Sequence, residues 1–223
     1  MSSHTEQLRR DWDSRQSEMG NSERSVLFRN MPDWINRRIH QQHVQFILQH
    51  LPSTGGRLLD LGCGYGRLSS EIIASRPDIS AEGVEFCAAF ATQFEETVGP
   101  CSLAAVQDFQ PEGKFDVIIS VTCLQYVEPD QLGTTMEKYW SALHPGGRFI
   151  AIEQYENIFV ALRKRGYLQS MQPTGGDITY FRDQQLRQQI SQLEGARLLG
   201  NRNITGLPLG FPVMHQAICF QKD

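Results

Sequence analysis

Three glycines alternate in Gly62-Cys63-Gly64-Tyr65-Gly66, directly after the apolar pair Leu58-Leu59, the acid Asp60 and Leu61. Glycine is needed where a chain turns sharply at the end of a strand and a ligand comes close to the backbone. A G-x-G-x-G alone is a weak signal. Here a predicted strand precedes it and a predicted helix follows, which is the context a nucleotide-binding loop requires. About 20 residues past Gly62 comes Glu85, ending the next predicted strand, where an open α/β sheet places a carboxylate to accept both ribose hydroxyls. Dinucleotide folds favour G-x-G-x-x-G, with a pyrophosphate on the helix N-terminus. The shorter spacing and the acid Asp60 disfavour phosphate and suit a ligand carrying a cationic ammonium or sulfonium.

With further motifs in order, the chain resembles the class I S-adenosylmethionine-dependent methyltransferases over residues 34–153, and more loosely through its C-terminal hairpin. The resemblance implies S-adenosyl-L-methionine as cofactor and a Rossmann-like, seven-stranded, mostly parallel sheet with a reversed terminal strand. On it, Asp60, Gly62, Cys63, Gly64 and Gly66 lie beside the methionine part of the cofactor. Glu85 holds the ribose, and Phe86 stands next to the adenine. In Gln107-Asp108-Phe109, Asp108 accepts from the exocyclic amine and the Phe109 backbone meets the ring. The stretch Phe115–Thr122 is similar to the family's fourth strand, whose end, with Ser120 and Thr122, touches the methionine amine. Leu143-His144-Pro145-Gly146-Gly147-Arg148 resembles the turn into the fifth strand.

Methyl transfer from a sulfonium is an in-line displacement, so the enzyme's main task is alignment and exclusion of water. A hydroxyl acceptor is helped by a general base, and an amine must be neutral. His43, on the apolar stripe of the helix before the first strand, is a candidate base; a satisfied core histidine explains it as well. His144 and His215 read as structural and His4 as solvated. Tyr126, after the fourth strand, either lines the methyl site catalytically or packs on the cofactor. Glu153, Tyr155 and Glu156 follow the fifth strand and are placed to meet a substrate, unless they are simply exposed loop residues. Trp34, with Arg37 or Arg38, is a candidate to close over the cofactor and pair its carboxylate, and a solvated helix face explains the arginines equally well. Arg163-Lys164-Arg165 would suit an anionic substrate, or is a solvated run. No metal is expected, because the place where metal-dependent O-methyltransferases carry carboxylates holds Ser120, Thr122 and Cys123.

The elements that must position these residues follow from periodicity. Residues 1–30 show no clear period and read as a flexible arm or lid that orders on binding. From Pro32, the residues Ile35, Ile39, His43, Phe46, Ile47 and Leu51 recur at three- and four-residue steps, an amphipathic helix ending before Pro52. Strands are predicted at Arg57–Leu61, Ile79–Val84, Leu103–Val106, Phe115–Val121 and Arg148–Glu153, with helices at Gly66–Ser75, Cys87–Thr97 and Asp130–Leu143 between them. Such alternation predicts parallel βαβ units with helices on both faces. Beyond them come Tyr155–Tyr167 and Asp183–Leu193, both helical in reading, within or after an insertion at 154–182 expected to bind substrate. Arg197–Ile204 and Met214–Gln221 then predict an antiparallel hairpin across a Gly/Pro loop. Residues 31–223 thus read as one methyltransferase domain.

Composition supports an ordinary soluble domain. Of 223 residues 40% are hydrophobic and 21% charged, with a net charge of -4. Five scattered cysteines without a C-x-x-C pair read as buried, reduced thiols, and the expected compartment is cytoplasmic. No apolar run approaches the roughly 20 residues that cross a bilayer, so no membrane association is expected. The net charge and the lack of an Asn-Pro-Pro-Tyr type motif predict no nucleic-acid partner. The expected function is metal-independent methylation of an oxygen or nitrogen on a small-molecule or sugar-like metabolite by a monomer or homodimer. A protein or peptide N-methyltransferase and a non-catalytic cofactor-binding scaffold stand as alternatives.

Overall fold

Alternation of apolar side chains along the strands decides the layers. The computed structural model describes residues 3–154, 181, 185–208 and 213–223. Its strands are β1 (Gly56–Leu61), β2 (Ile79–Glu85), β3 (Cys101–Leu103), β4 (Phe115–Val121), β5 (Leu143–Gln154), β6 (Ala196–Thr205) and β7 (Val213–Lys222). They form one sheet in the order β3-β2-β1-β4-β5-β7-β6. β1 to β5 run parallel, and β7 pairs antiparallel with both β5 and β6.

The helices are α1 (Ser3–Met19), α2 (Glu23–Val26), α3 (Asp33–Gln49), α4 (Arg67–Ser75), α5 (Ala88–Thr97), α6 (Pro129–Ser141) and α7 (Gln185–Ser191). Leu58, Val117, Ile119 and Ile150 pack with Ile39, Phe46 and Ile47 of α3 and Ile72 of α4. Their sequence neighbours Leu59, Ile118, Phe149 and Ala151 join the opposite core, with Met136 and Tyr139 of α6 and Ile190 of α7. Burial on both faces is why the central strands read as continuous apolar runs rather than alternating ones.

Three differences from the sequence reading have physical causes. Residues 3–26 contain α1 and α2; α1 buries one face at Thr5, Leu8 and Arg15 with Trp12 half-buried, but only Leu8 and Trp12 of these are apolar, too few to show a hydrophobic period. The third strand lies earlier than Leu103–Val106. Cys101–Leu103 pairs with Gly83–Glu85, and the Ala104 N–H donates to Glu85 O at 2.9 Å before the chain leaves the sheet. β5 starts at Leu143, with a register shift opposite Phe115 and Val117 that absorbs the Pro-Gly-Gly turn. The helix expected at Asp183–Leu193 is present as α7 from Gln185, and Asp183 lies outside the described residues. Tyr155, Glu156, Arg163-Lys164-Arg165 and nearly all of the 154–182 insertion lie outside them too. Among the described residues, no helix is long and apolar enough to cross a membrane.

Candidate functional site

Strand order reverses between β1 and β4, and in parallel α/β sheets a ligand crevice opens at the carboxyl ends of the strands flanking that point. A cleft of about 880 Å³ lies there. Its floor is the glycine loop. Gly62, Gly64 and Gly66 have φ of 66°, 56° and 87°, the left-handed region that side chains other than glycine rarely adopt. A Cβ on Gly62 would stand 2.6 Å from Cys123 Sγ, so the loop and the end of β4 can approach only because Gly62 has none. Thr122, at that end, is the one non-glycine residue with positive φ among the described residues (φ 55°), held by its N–H donating to Ile152 O at 2.8 Å. Strained backbone at a strand end facing a cleft is a frequent mark of a functional position.

Glu85 is clamped rather than loose. Its Oε1 accepts from the Phe86 and Cys87 N–H groups at 2.8 and 2.9 Å, and its Oε2 from the Gly64 N–H at 2.9 Å. Burial pushes its carboxyl above the usual range, and the three backbone donors offset only part of that. Asp60 accepts from Ser69 Oγ at 2.6 Å; burial raises its carboxyl to about 7 against the opposing pull of that bond and of Arg67. Arg67 also lines the cleft and is itself steadied by a bond from Nη1 to His40 Nδ1. Next to β2, the segment Ala104–Gln107 closes one wall. Tyr139 OH and Lys138 Nζ, both from α6, hold it by donating to Val106 O at 2.7 Å and Gln107 O at 2.8 Å.

Of the residues expected from the sequence, Asp60, Gly62, Cys63, Gly64, Glu85, Phe86, Thr122 and Tyr126 line the cleft. Gly66 supports it from behind, starting α4 where a Cβ would meet Val98 Cγ2 at 2.7 Å. Others stand elsewhere. Asp108 is exposed and Phe109 packs against the α6 core, so Gln107 takes the wall position instead. Ser120 is turned away, donating to Glu153 Oε1 at 2.8 Å. Glu153 also accepts from the Leu124 N–H at 3.1 Å, so it braces the turn after β4 instead of reaching outward; burial raises it to about 7. Trp34 is 56% exposed on α3, and neither it nor Arg38 borders the cleft, because α3 turns Asn36, Ile39 and His43 inward. His43 is fully buried, its Nε2 at 3.1 Å from His215 Nδ1, and does not border the cleft.

Several lining residues escaped the sequence reading. Thr5, Leu8 and Trp12 of α1 form a roof, and Gln107 Nε2 ties it down by donating to Thr5 Oγ1 at 3.0 Å. Arg67 carried a usable signal: a cation opening a helix opposes the helix dipole and asks for a reason.

A family model described as "Methyltransferase domain" matches residues 29–194. Among curated proteins, a ribosomal RNA small subunit methyltransferase C of a Shewanella strain is 30% identical over 115 residues, 49% of this chain and 33% of that protein. The chain thus spans about a third of the length of the curated relatives it matches. Among solved structures, 1,6-didemethyltoxoflavin-N1-methyltransferase of Burkholderia thailandensis, with bound S-adenosylhomocysteine, superposes with a TM-score of 0.71 at 15% identity, covering 100% of this chain and 91% of that one. The N-methyltransferase NodS of Bradyrhizobium japonicum gives 0.68 at 15% identity, covering 95% and 98%. At such identities the likeness is one of fold.

Proposed function

The chain belongs to the methyltransferase-domain family, and from that premise we propose that it moves the methyl group of S-adenosylmethionine to an oxygen or nitrogen of a small molecule, without a metal and mainly by positioning. The observation that carries this reading is the pairing of Glu85 and Asp60 on the walls of one cleft at the strand-order reversal. The donor set fits the cofactor: Glu85 has lone pairs beyond its three backbone bonds for the ribose hydroxyls, and Asp60 suits the ammonium of the methionine part. Two carboxylates would repel the pyrophosphate of a dinucleotide. Bound S-adenosylmethionine supplies an already activated methyl group. The chain's own residues orient and shield. Arg67 is placed for a carboxylate, Phe86 and Phe90 offer apolar surface, and Leu8 and Trp12 exclude water from above.

Calorimetric titration tests this. Micromolar binding of S-adenosylmethionine and S-adenosylhomocysteine with none of NAD is the expected result, and binding of NAD alone would overturn the assignment. The printed activity of the curated relatives favours a second reading, an RNA acceptor. Tritiated methyl transfer to ribosomal RNA, against a panel of sugars, phenols and amines, separates the two.

Asp60 makes the binding pH-dependent. Its carboxyl is raised from 3.8 to about 7, so the stability it contributes is full below about pH 4 and is lost as pH rises toward 7. An ammonium ligand reverses the preference, because it pairs only with the ionised form. The Kd for S-adenosylhomocysteine should therefore fall between about pH 6 and 8, by up to tenfold per unit below the folded pKa. Asp60→Asn should flatten that profile. A wild-type Kd that is constant over the range would show that Asp60 does not face the ammonium.

A further inference from the structure

Arg67 and Glu71 stand four residues apart on α4, the spacing at which opposite charges meet on one face of a helix. Among the described residues no ion pair joins them. The buried ring of His40, from α3, stands between them and bonds to both: Arg67 Nη1 donates to His40 Nδ1, and His40 Nε2 lies 2.6 Å from Glu71 Oε1. Packing of the two helices brings the ring there, since Ile39 and Ile47 of α3 share a core with Leu68 and Ile72 of α4.

Hydrogen-bond chemistry fixes the state of that ring. A guanidinium only donates, so Nδ1 must accept, and the single ring proton then sits on Nε2 and goes to Glu71. Burial, with the Arg67 charge adding to it, holds His40 below the ordinary histidine value, which keeps the Nδ1 lone pair free for its bond. Arg67 lines the cleft, and its Nη1 bond is the only hydrogen bond of its side chain among the described residues. Its Nε and Nη2 have no partner there and are not sealed from solvent. A guanidinium with no carboxylate partner and free donors on the wall of a cleft calls for an anion.

We propose that His40 is a positioning residue: it separates Arg67 from Glu71 and keeps the guanidinium turned to the cleft, where it meets the carboxylate of the cofactor's methionine part. The proposal rests on the cofactor reading above. Without the ring, the two α4 charges close on each other across one helical turn, and the guanidinium is drawn away from the ligand. Glu71 is thus both the anchor of the ring and the competitor that the ring holds off. His40 itself does not border the cleft, so its effect reaches the ligand through Arg67 and is confined to the ligand's carboxylate.

The test compares S-adenosylhomocysteine with its decarboxylated analogue, S-adenosyl-thiopropylamine, by titration calorimetry on the full chain. The analogue keeps the nucleoside and the ammonium and lacks only the carboxylate. Wild type should bind S-adenosylhomocysteine at least about tenfold more tightly than the analogue. His40→Ala should weaken S-adenosylhomocysteine by about tenfold and leave the Kd of the analogue unchanged, which also reports that the variant folds. His40→Asn, which returns an acceptor oxygen near the Nδ1 position, should recover most of that loss. Adding Glu71→Gln to His40→Ala should recover it too, because the competing charge is gone; a histidine that only fills space would not be rescued at Glu71. Equal affinity of the wild type for the two ligands, an equal change for both in His40→Ala, or no recovery in either rescue variant would overturn the proposal. A wild-type chain that binds neither ligand would instead strike the cofactor reading.

Discussion

Glu85→Ala should weaken S-adenosylhomocysteine binding by about 1.5–3 kcal/mol, roughly 10- to 150-fold, the range for hydrogen bonds to a charged group. The effect has two sources. The ribose hydroxyls lose their acceptor, and the N–H groups of Gly64, Phe86 and Cys87 lose theirs. The second loss matters for shape as well as energy, since the Gly64 bond, beside those of the Gly62 and Cys63 N–H groups to Val84 O, ties the glycine loop to the end of β2. A drop in melting temperature should accompany the loss of affinity. Calorimetry on the variant decides the matter: an unchanged Kd with a lowered melting temperature would leave Glu85 as a loop brace and remove it from the ribose.

Deleting residues 1–20 should have an effect of similar size on binding with a smaller one on stability. That cut removes Thr5, Leu8 and Trp12 from the roof of the cleft. Leu8 belongs to neither of the two sheet-face cores, so those cores stay intact. The cost in folding is mainly the exposure of what α1 covers, at about 25 cal/mol per Å² of apolar surface, and a shift of a few degrees is expected. Affinity for S-adenosylhomocysteine should fall by at least about tenfold, as the ligand loses its apolar cover. Wild-type affinity in the truncated chain would mean that α1 is not a lid over this ligand.

Much of the site was readable because it is local. The sequence Asp60 to Gly66 encodes a strand end, a left-handed turn and a helix start within seven consecutive residues, and each step rests on side-chain size and backbone freedom alone. Glu85 was equally accessible, since one βα unit later the chain must return to the same edge of the sheet. The parallel strands, the final hairpin and the helices on both faces came from periodicity and held to within a few residues, except at β3, whose three residues are too few to show a period, and at the start of β5, which lies before the Pro-Gly-Gly turn.

Asp108 and Phe109 show where local reading stops. The segment that reaches the cleft is Ala104–Gln107, selected by hydrogen bonds from Tyr139 and Lys138 on α6. The stripe that α1 buries, Thr5, Leu8, Trp12 and Arg15, is half polar because it covers a cleft rather than a core, so hydrophobic periodicity did not reveal it. His43 drew attention for lying on a helical stripe, yet it is buried against His215, 172 residues away in sequence, and does not border the cleft. By itself, then, the sequence determined the sheet, the glycine loop and its two carboxylates, since each depends on residues within one or two neighbouring elements. The tertiary structure decided which side chains close the cleft and which meet beside it. Those contacts join α1, α3, the turn after β4 and the antiparallel β7, and no period or spacing along the chain encodes which distant residues share a wall.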